Sequence, residues 1–221
     1  TRTPDAHFLT EVRYKGTKVV SVSPDYAEST TSSDAWLNVK AGTDAALAMA
    51  MGHVILKEYY IDKETPYFKE YAKEFTDMPF LVRVEDINGA VQPGRFLNAK
   101  DLGSKEDGAD FQTVLIDETT NEIVVPNGTM GDRHTHPEKW NLRLENRNTG
   151  AKIDPRLSVF DQREDVTVVK LPYFGDEEHE GVIERAIPTI TVQTVDGPVK
   201  VTTVYDLILA NYGIDRGIGG E

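Results

Sequence analysis

A chain of 221 residues that is 39% hydrophobic has enough apolar content for one large packed domain or two small ones. Its formal net charge of −13, from 37 acids against 24 lysines and arginines with no basic run, argues against a phosphate-backbone footprint, so no nucleic-acid partner is expected. The absence of cysteine excludes disulfides, thiolate-bound zinc, iron–sulfur ligation and a cysteine nucleophile within this chain.

The first segment gives the clearest pattern. Thr3, Pro4 and Asp5 suit a helix entry, because a hydroxyl cap, an early proline and an early acid all match the unpaired N–H groups there. An amphipathic helix is predicted to run to about Tyr14, where Gly16 breaks it. "TKVVSVS" reads as a buried strand ended by the turn formers Pro24, Asp25 and Ser29, and "AWLNVK" as a second, shorter one. In "DAALAMAMGHVILKEYY", Leu47, Met51, Val54 and Ile55 recur at three- and four-residue spacing, which predicts a long helix capped by Thr43 or Asp44. Strands separated by helical segments imply a parallel sheet covered by helices, and such a sheet needs more strands than these two. The expected fold class is therefore α/β, with part of a parallel-sheet, Rossmann-like nucleotide-binding domain at the N-terminal end.

Beyond about Asp62 the texture changes. "TPYFKEYAKEFTD" predicts a polar helix whose aromatic stripe, Tyr67, Phe68, Tyr71 and Phe75, packs on the body of the domain. After Pro79 short alternating strands predict a β-hairpin-rich insertion, in "FLVRVEDINGAVQPGRFL", "FQTVLIDETTNEIVVPNG" and "ITVQTVDGPVKVTTV". In the last of these, Asp196-Gly197 supplies the positive-φ pair of a tight turn. Polar loops are expected around residues 100–110, 131–155 and 175–181, and "VYDLILANYG" returns to helix with Gly213 as its C-terminal cap. The expected division is 1–78 for the α/β segment, 79–200 for the insertion and 201–221 for the helical return. No apolar run approaches a membrane span, "TRTPDAHFLTEV" lacks a signal-peptide core, and the opening without methionine suggests a piece of something longer.

Two turns are candidates for ligand binding. In open α/β sheets ligands sit beyond the carboxyl ends of strands, where Asp25 of "SPDYA" (Ser23, Pro24, Asp25, Tyr26, Ala27) could accept hydrogen bonds from a ribose; Pro-Asp is equally ordinary turn chemistry. Gly42, Thr43 and Asp44 at a helix mouth offer close backbone approach, a hydroxyl, free N–H groups and a carboxylate able to take the adjacent N–H donors of a guanine; Thr-Asp is also a good cap. His134 and His136 in "DRHTHPEKW" could share an ion, but a polar loop around them favours a solvated pair, and His179 lies in an acidic run. His53 falls inside the long helix as a packed or capping residue, and His7 stays open as a ligand-edge group. No G-x-G-x-x-G, P-loop or G-x-S-x-G is present.

Taken together, "TRTPDAHFLTEVRYKGTKVVSVSPDYAE", "GTDAALAMAMGHVILKEYYID" and "VTTVYDLILANYG" resemble the molybdopterin oxidoreductase family that includes dimethyl sulfoxide reductases, in its respiratory nitrate reductase branch. The likeness spans essentially the whole chain and is most specific in residues 1–62 and 201–217. It implies an internal fragment of a catalytic subunit that reduces nitrate to nitrite at a molybdenum bis(molybdopterin guanine dinucleotide) centre, with electrons from quinol passing through iron–sulfur clusters. It further implies a 4Fe-4S cluster whose ligands lie outside this fragment, an iron–sulfur β subunit and a membrane haem b γ subunit as partners, and membrane association through them on the cytoplasmic face.

On this resemblance the guanosine end of one dinucleotide meets Ser23, Pro24, Asp25, Tyr26 and Ala27 and also Gly42, Thr43 and Asp44, while Thr1, Arg2 and Thr3 end a pterin-side loop. The chain departs from the wider family in lacking an arginine after the strand-end acid, and it holds no molybdenum ligand, so the fragment alone is expected to be inactive. Two other readings stay in view: a non-catalytic α/β nucleotide-binding or protein-docking module with a basic partner, and a metal-dependent hydrolase using His134 and His136.

Overall fold

The computed structural model describes residues 3–128, 143–173 and 181–219, and its chain divides into two units, Thr1–Met51 and Gly52–Glu221. Thr1, Arg2, His134, His136 and His179 lie outside the described residues.

In the first unit α1 (Thr3–Tyr14) ends where Gly16 takes φ +91°, a left-handed turn that costs glycine little. There follow β1 (Val20–Ser23), the short α2 (Glu28–Thr31), β2 (Ala35–Asn38) and α3 (Asp44–Ile55), which crosses into the second unit. β1 and β2 pair in parallel from Val20↔Ala35 to Ser23↔Asn38, as the helical connection between them requires. Asp34 holds the entry to both strands: its Oδ2 accepts the Val19 N–H at 2.8 Å and its Oδ1 the Arg13 guanidinium of α1 at 3.1 Å.

The parallel pairing stops at these two strands, so the Rossmann-like sheet expected from the sequence is not present among the described residues; every other strand pairing is antiparallel. The alternation of strand and helix ends at α3, and the later pairs β3–β4 and β10–β11 are hairpins closed by two-residue turns. Thr30 is the one buried residue among those described in this unit. The expected inward face of α3 is open as well, with Met51, Val54 and Ile55 at 54%, 48% and 44% exposure.

In the second unit the helix continues past Ile55 as a π-helical stretch, Leu56–Asp62, that buries Leu56 and Tyr60, and α4 (Pro66–Phe75) opens on Pro66 at its first position. Then come β3 (Leu81–Ile87), β4 (Ala90–Phe96), β5 (Leu115–Ile116), β6 (Ile123–Val124), β7 (Pro126–Asn127) and β8 (Arg143–Asn146). The chain closes through β9 (Asp165–Pro172), β10 (Val182–Thr194), β11 (Gly197–Thr203) and α5 (Val204–Asn211). β8 falls within what was expected to be a polar loop.

Five strands form one antiparallel sheet in the order β4-β3-β11-β10-β9, whose outer strands β4 and β9 touch each other, so the sheet curls. Pro93 is tolerated because β4 lies at the end of that order, beside a bulge. Leu81, Leu97, Val114, Val159 and Val201 are fully buried beneath the sheet; each such side chain contributes about 1.5–3 kcal/mol by leaving water.

All three predicted hairpins form. The β3–β4 turn has positive φ at both Asn88 (+56°) and Gly89 (+80°), the twist-matched geometry for a two-residue connection. At β10–β11 the expected positive-φ pair is corrected: Val195 and Asp196 make the turn with negative φ, and only Gly197, first residue of β11, takes +113°.

The aromatic stripe of α4 is also corrected. Phe68 and Ala72 are the inward pair, one helical turn apart, whereas Tyr67, Tyr71 and Phe75 are 68%, 49% and 51% exposed and stack on one another along the next row. α5 ends as predicted, with Gly213 at φ +68° and the Ile214 N–H reaching back to the Leu209 carbonyl at 2.9 Å.

Two stability predictions arise here. Alanine usually stabilises a mid-helix glycine site by about 1 kcal/mol, but a Cβ on Gly52 would lie 2.3 Å from Tyr212 Cε1. That ring packs against the cluster of Leu56, Tyr60 and Leu209. Gly52→Ala is therefore expected to destabilise by about 1–3 kcal/mol. Urea unfolding reads this directly, and adding Tyr212→Ala should remove the penalty.

The second concerns the loop at residues 100–110, expected to be solvated, which instead buries Asp101 to 5% exposure. Burial raises its carboxyl pKa, but the Arg95 guanidinium, the Asn98 N–H and the nearby Arg83 outweigh that and hold it below the ordinary 3.8. A depressed folded value gives stability that is present above the unfolded value and lost as pH falls through the folded one. Urea midpoints should thus drop between about pH 5 and pH 2 by less in Asp101→Asn than in the parent.

Candidate cofactor-binding site

Because β1 and β2 run parallel and in register, Ser23 and Asn38 end side by side, and the turn at residues 23–27 and the loop leading to residues 42–44 both leave from that carboxyl edge. This is the edge at which α/β sheets receive ligands.

The first turn is tied down from within. Ser23 Oγ donates to Asp25 Oδ1 at 3.0 Å and accepts the Asp25 N–H at 3.4 Å, and the second carboxylate oxygen of the exposed Asp25 has no partner among the described residues. The Ser23 carbonyl accepts the indole N–H of Trp36 at 3.0 Å, and the Tyr26 and Trp36 rings meet nearly at right angles with centroids 5.3 Å apart. Ala27 is extended and starts α2, its carbonyl accepting the Thr30 N–H at 2.9 Å.

At the second turn Gly42 has φ +84° with nothing within 4 Å of where a Cβ would stand, so a ligand could approach its backbone. The Thr43 hydroxyl donates to the Lys40 carbonyl at 2.7 Å, which leaves it as an acceptor. Asp44 begins α3 exposed, and its carboxylate has no hydrogen bond or ion pair among the described residues. The first N–H groups of this 12-residue helix lack partners within the helix and lend its start a positive potential.

The sequence-predicted residues thus lie on two segments that leave one edge, except that Thr1 lies outside the described residues and Thr3 is the first residue of α1. His7 is exposed beside Phe8, and His53, expected as a packed or capping residue, is half-buried with its Nδ1 2.8 Å from the carbonyl of Tyr212 at the end of α5. Among the described residues no group of His, Asp and Glu could hold a metal ion. Trp36 was not singled out by any sequence pattern; only the parallel register, which sets it opposite Ser21, brings its indole to the Ser23 carbonyl.

The chemistry of this donor set fits a nucleoside. Two open carboxylates suit the N–H groups of a guanine and the hydroxyls of a ribose. They do not suit a pyrophosphate, and no lysine or arginine stands within residues 23–27 or 42–44. In the second unit a cleft of about 550 Å³ is walled by Tyr60, Phe160 and Tyr205, but its cations are already paired: Lys69 with Glu64, Lys73 with Asp154, Arg156 with Glu118 and Arg216 with Asp206.

Comparison with known proteins places this geometry in context. The chain is 50% identical over 219 residues to a nitrate reductase alpha chain of Bacillus subtilis, a match covering 99% of this chain and 18% of that relative. It is 46% identical over 230 residues to the respiratory nitrate reductase 1 alpha chain of Escherichia coli, again with 99% and 18% covered. A perchlorate reductase alpha subunit of Dechloromonas aromatica is 40% identical over 136 residues, covering 60% of this chain and 13% of the relative. The chain therefore spans under one fifth of the length of these relatives. The profile of the molybdopterin oxidoreductase family matches residues 1–195, and the chain belongs to that family.

Proposed function

We propose that this chain is part of the catalytic subunit of a respiratory nitrate reductase, and that its first unit holds the guanosine end of one molybdopterin guanine dinucleotide. The observation that carries the second claim is the pair of solvent-open carboxylates, Asp25 and Asp44, on turns leaving one edge of a parallel strand pair. The similarity to nitrate reductase alpha chains over nearly the whole chain supports the first.

In this reading molybdenum, carried by two such dinucleotides, supplies the oxygen-atom transfer that converts nitrate to nitrite. This chain's share is to bind and orient: Asp25 takes ribose hydroxyls, Asp44 takes the guanine N–H pair, and Gly42 lets the ligand lie against the backbone. The α3 N-terminus and backbone N–H groups supply positive potential in an acidic chain. Further parallel strands beside β1 and β2 complete a Rossmann-like sheet in the longer protein. The near-absence of buried residues in the first unit supports this, since Val20, Val22 and Leu37 lie 54%, 46% and 43% exposed on a sheet too small to stand alone.

Electrons arrive from quinol through iron–sulfur clusters, one of them a 4Fe-4S cluster of the catalytic subunit itself, by way of an iron–sulfur β subunit and a membrane haem b γ subunit. Those partners account for attachment to the membrane at its cytoplasmic face; no described helix here is long and apolar enough to cross one.

Metal and nucleotide analysis of the purified full-length protein tests this reading. About two guanine nucleotides released per molybdenum, with nitrate-dependent oxidation of a reduced dye, is the expected result. Protein that carries neither molybdenum nor guanine nucleotide would overturn it.

A further inference from the structure

We propose that Trp36 is a positioning residue for the nucleotide site: it fixes the turn at residues 23–27 and stands the Tyr26 ring as a wall against which the guanosine packs. The inference rests on the reading above that this edge binds guanosine, and it assigns a role to two aromatic residues whose contacts point that way. Trp36 lies on β2, half-buried, and reaches across to β1 with its indole N–H, 3.0 Å from the carbonyl of Ser23, the last residue of that strand. A carbonyl at a strand end is where a chain begins to wander. Pinning it fixes the direction in which Pro24 and Asp25 leave. The Ser23 side chain then passes that constraint to Asp25 through the 3.0 Å bond to its carboxylate.

The second contact is between rings. Tyr26 meets Trp36 edge to face, at 5.3 Å and 82°, yet is 63% exposed. An aromatic edge held in that geometry gains about 0.5–1.5 kcal/mol beyond area burial. So the tyrosine is oriented on one side by Trp36 and left bare on the other. A bare ring of fixed orientation beside an open carboxylate is a surface for a flat, N–H-bearing base, and base–aromatic stacking contributes about 1–3 kcal/mol per base.

The test uses the intact subunit carrying its cofactor. Trp36→Phe keeps an aromatic ring beside Tyr26 and removes the indole N–H; Tyr26→Ala removes the wall. The rate at which guanine nucleotide and molybdenum leave the protein on dilution is followed together with the melting temperature of cofactor-free protein. Trp36→Phe is expected to speed loss roughly three- to tenfold, the range one neutral hydrogen bond gives, while lowering that melting temperature by no more than about 2–4 °C. Tyr26→Ala should speed it at least as much.

Asp44→Ala serves as the reference. If it accelerates loss while Trp36→Phe and Tyr26→Ala do not, the aromatic roles are wrong and the guanosine site stands. If none of the three changes the rate, the guanosine site itself is misassigned and this inference falls with it. A Trp36→Phe effect confined to the melting temperature would make Trp36 a packing residue only, which also overturns the proposal.

Discussion

Asp206→Ala is expected to lower the unfolding free energy of the second unit by about 3–5 kcal/mol, the cost of leaving a buried charge without its partner. Asp206 is fully buried at the start of α5 and accepts four hydrogen bonds. Oδ1 takes the Arg216 guanidinium and the Ser158 hydroxyl, each at 2.6 Å; Oδ2 takes the Val159 N–H and the Thr203 hydroxyl, each at 2.9 Å. Arg216, only 8% exposed, has its second terminal nitrogen already without a hydrogen-bond partner among the described residues, so no other acceptor waits to take over.

Removing the carboxylate therefore strands a guanidinium, two hydroxyls and a backbone N–H at once. The helix cap survives, because Thr203 Oγ1 accepts the Asp206 N–H at 3.1 Å whatever side chain follows. The loss should appear in thermal unfolding as a fall of roughly 10 °C. Pairing it with Arg216→Met should recover part of the deficit, since an apolar replacement for a buried ion pair is often neutral. Equal stability of parent and Asp206→Ala would mean that water reaches this pair.

Asp44→Ala in the intact protein is expected to weaken retention of the guanine dinucleotide about 10- to 100-fold, because one carboxylate accepting two N–H groups contributes about 1.5–3 kcal/mol. The fold should be nearly indifferent. Asp44 is exposed and has no partner among the described residues, and its service to α3 is that of a first-turn acid, about 0.3–1 kcal/mol. Asp44→Asn separates geometry from charge: its amide presents a single acceptor and a donor that opposes a guanine N–H, so it should recover little. Nucleotide released per protein, read beside the melting curve, distinguishes binding loss from unfolding.

Elements whose cause is local were readable from residue order alone. Gly16 ends α1 and Gly213 caps α5, and each predicted hairpin formed where turn residues separate alternating runs. What could not be read depends on partners distant in sequence. A helix as apolar as α3 looks like a core element, yet Met51, Val54 and Ile55 on its face stay about half-exposed among the described residues, and residue spacing carries no information about what covers them. The same holds for α4, where four aromatic residues lie on neighbouring rows and only packing selects Phe68 to face inward.

Asp101 sits in a polar loop and Asp206 in the first turn of an apolar helix, and only the folded chain brings Arg95, Arg83 and Arg216 to them. Of the site, the two turns were legible because strand-end and helix-mouth chemistry is local. Trp36 was not, since its role needs the parallel register of β1 and β2.

The central claim is that the carboxylates of Asp25 and Asp44 receive one guanosine. A structure of the full-length protein with its cofactor in place measures this directly. The account predicts guanine N–H groups within hydrogen-bonding distance of the Asp44 carboxylate, with the ribose at Asp25. A guanosine seated elsewhere, with both carboxylates turned to solvent or held by another part of the protein, would contradict it.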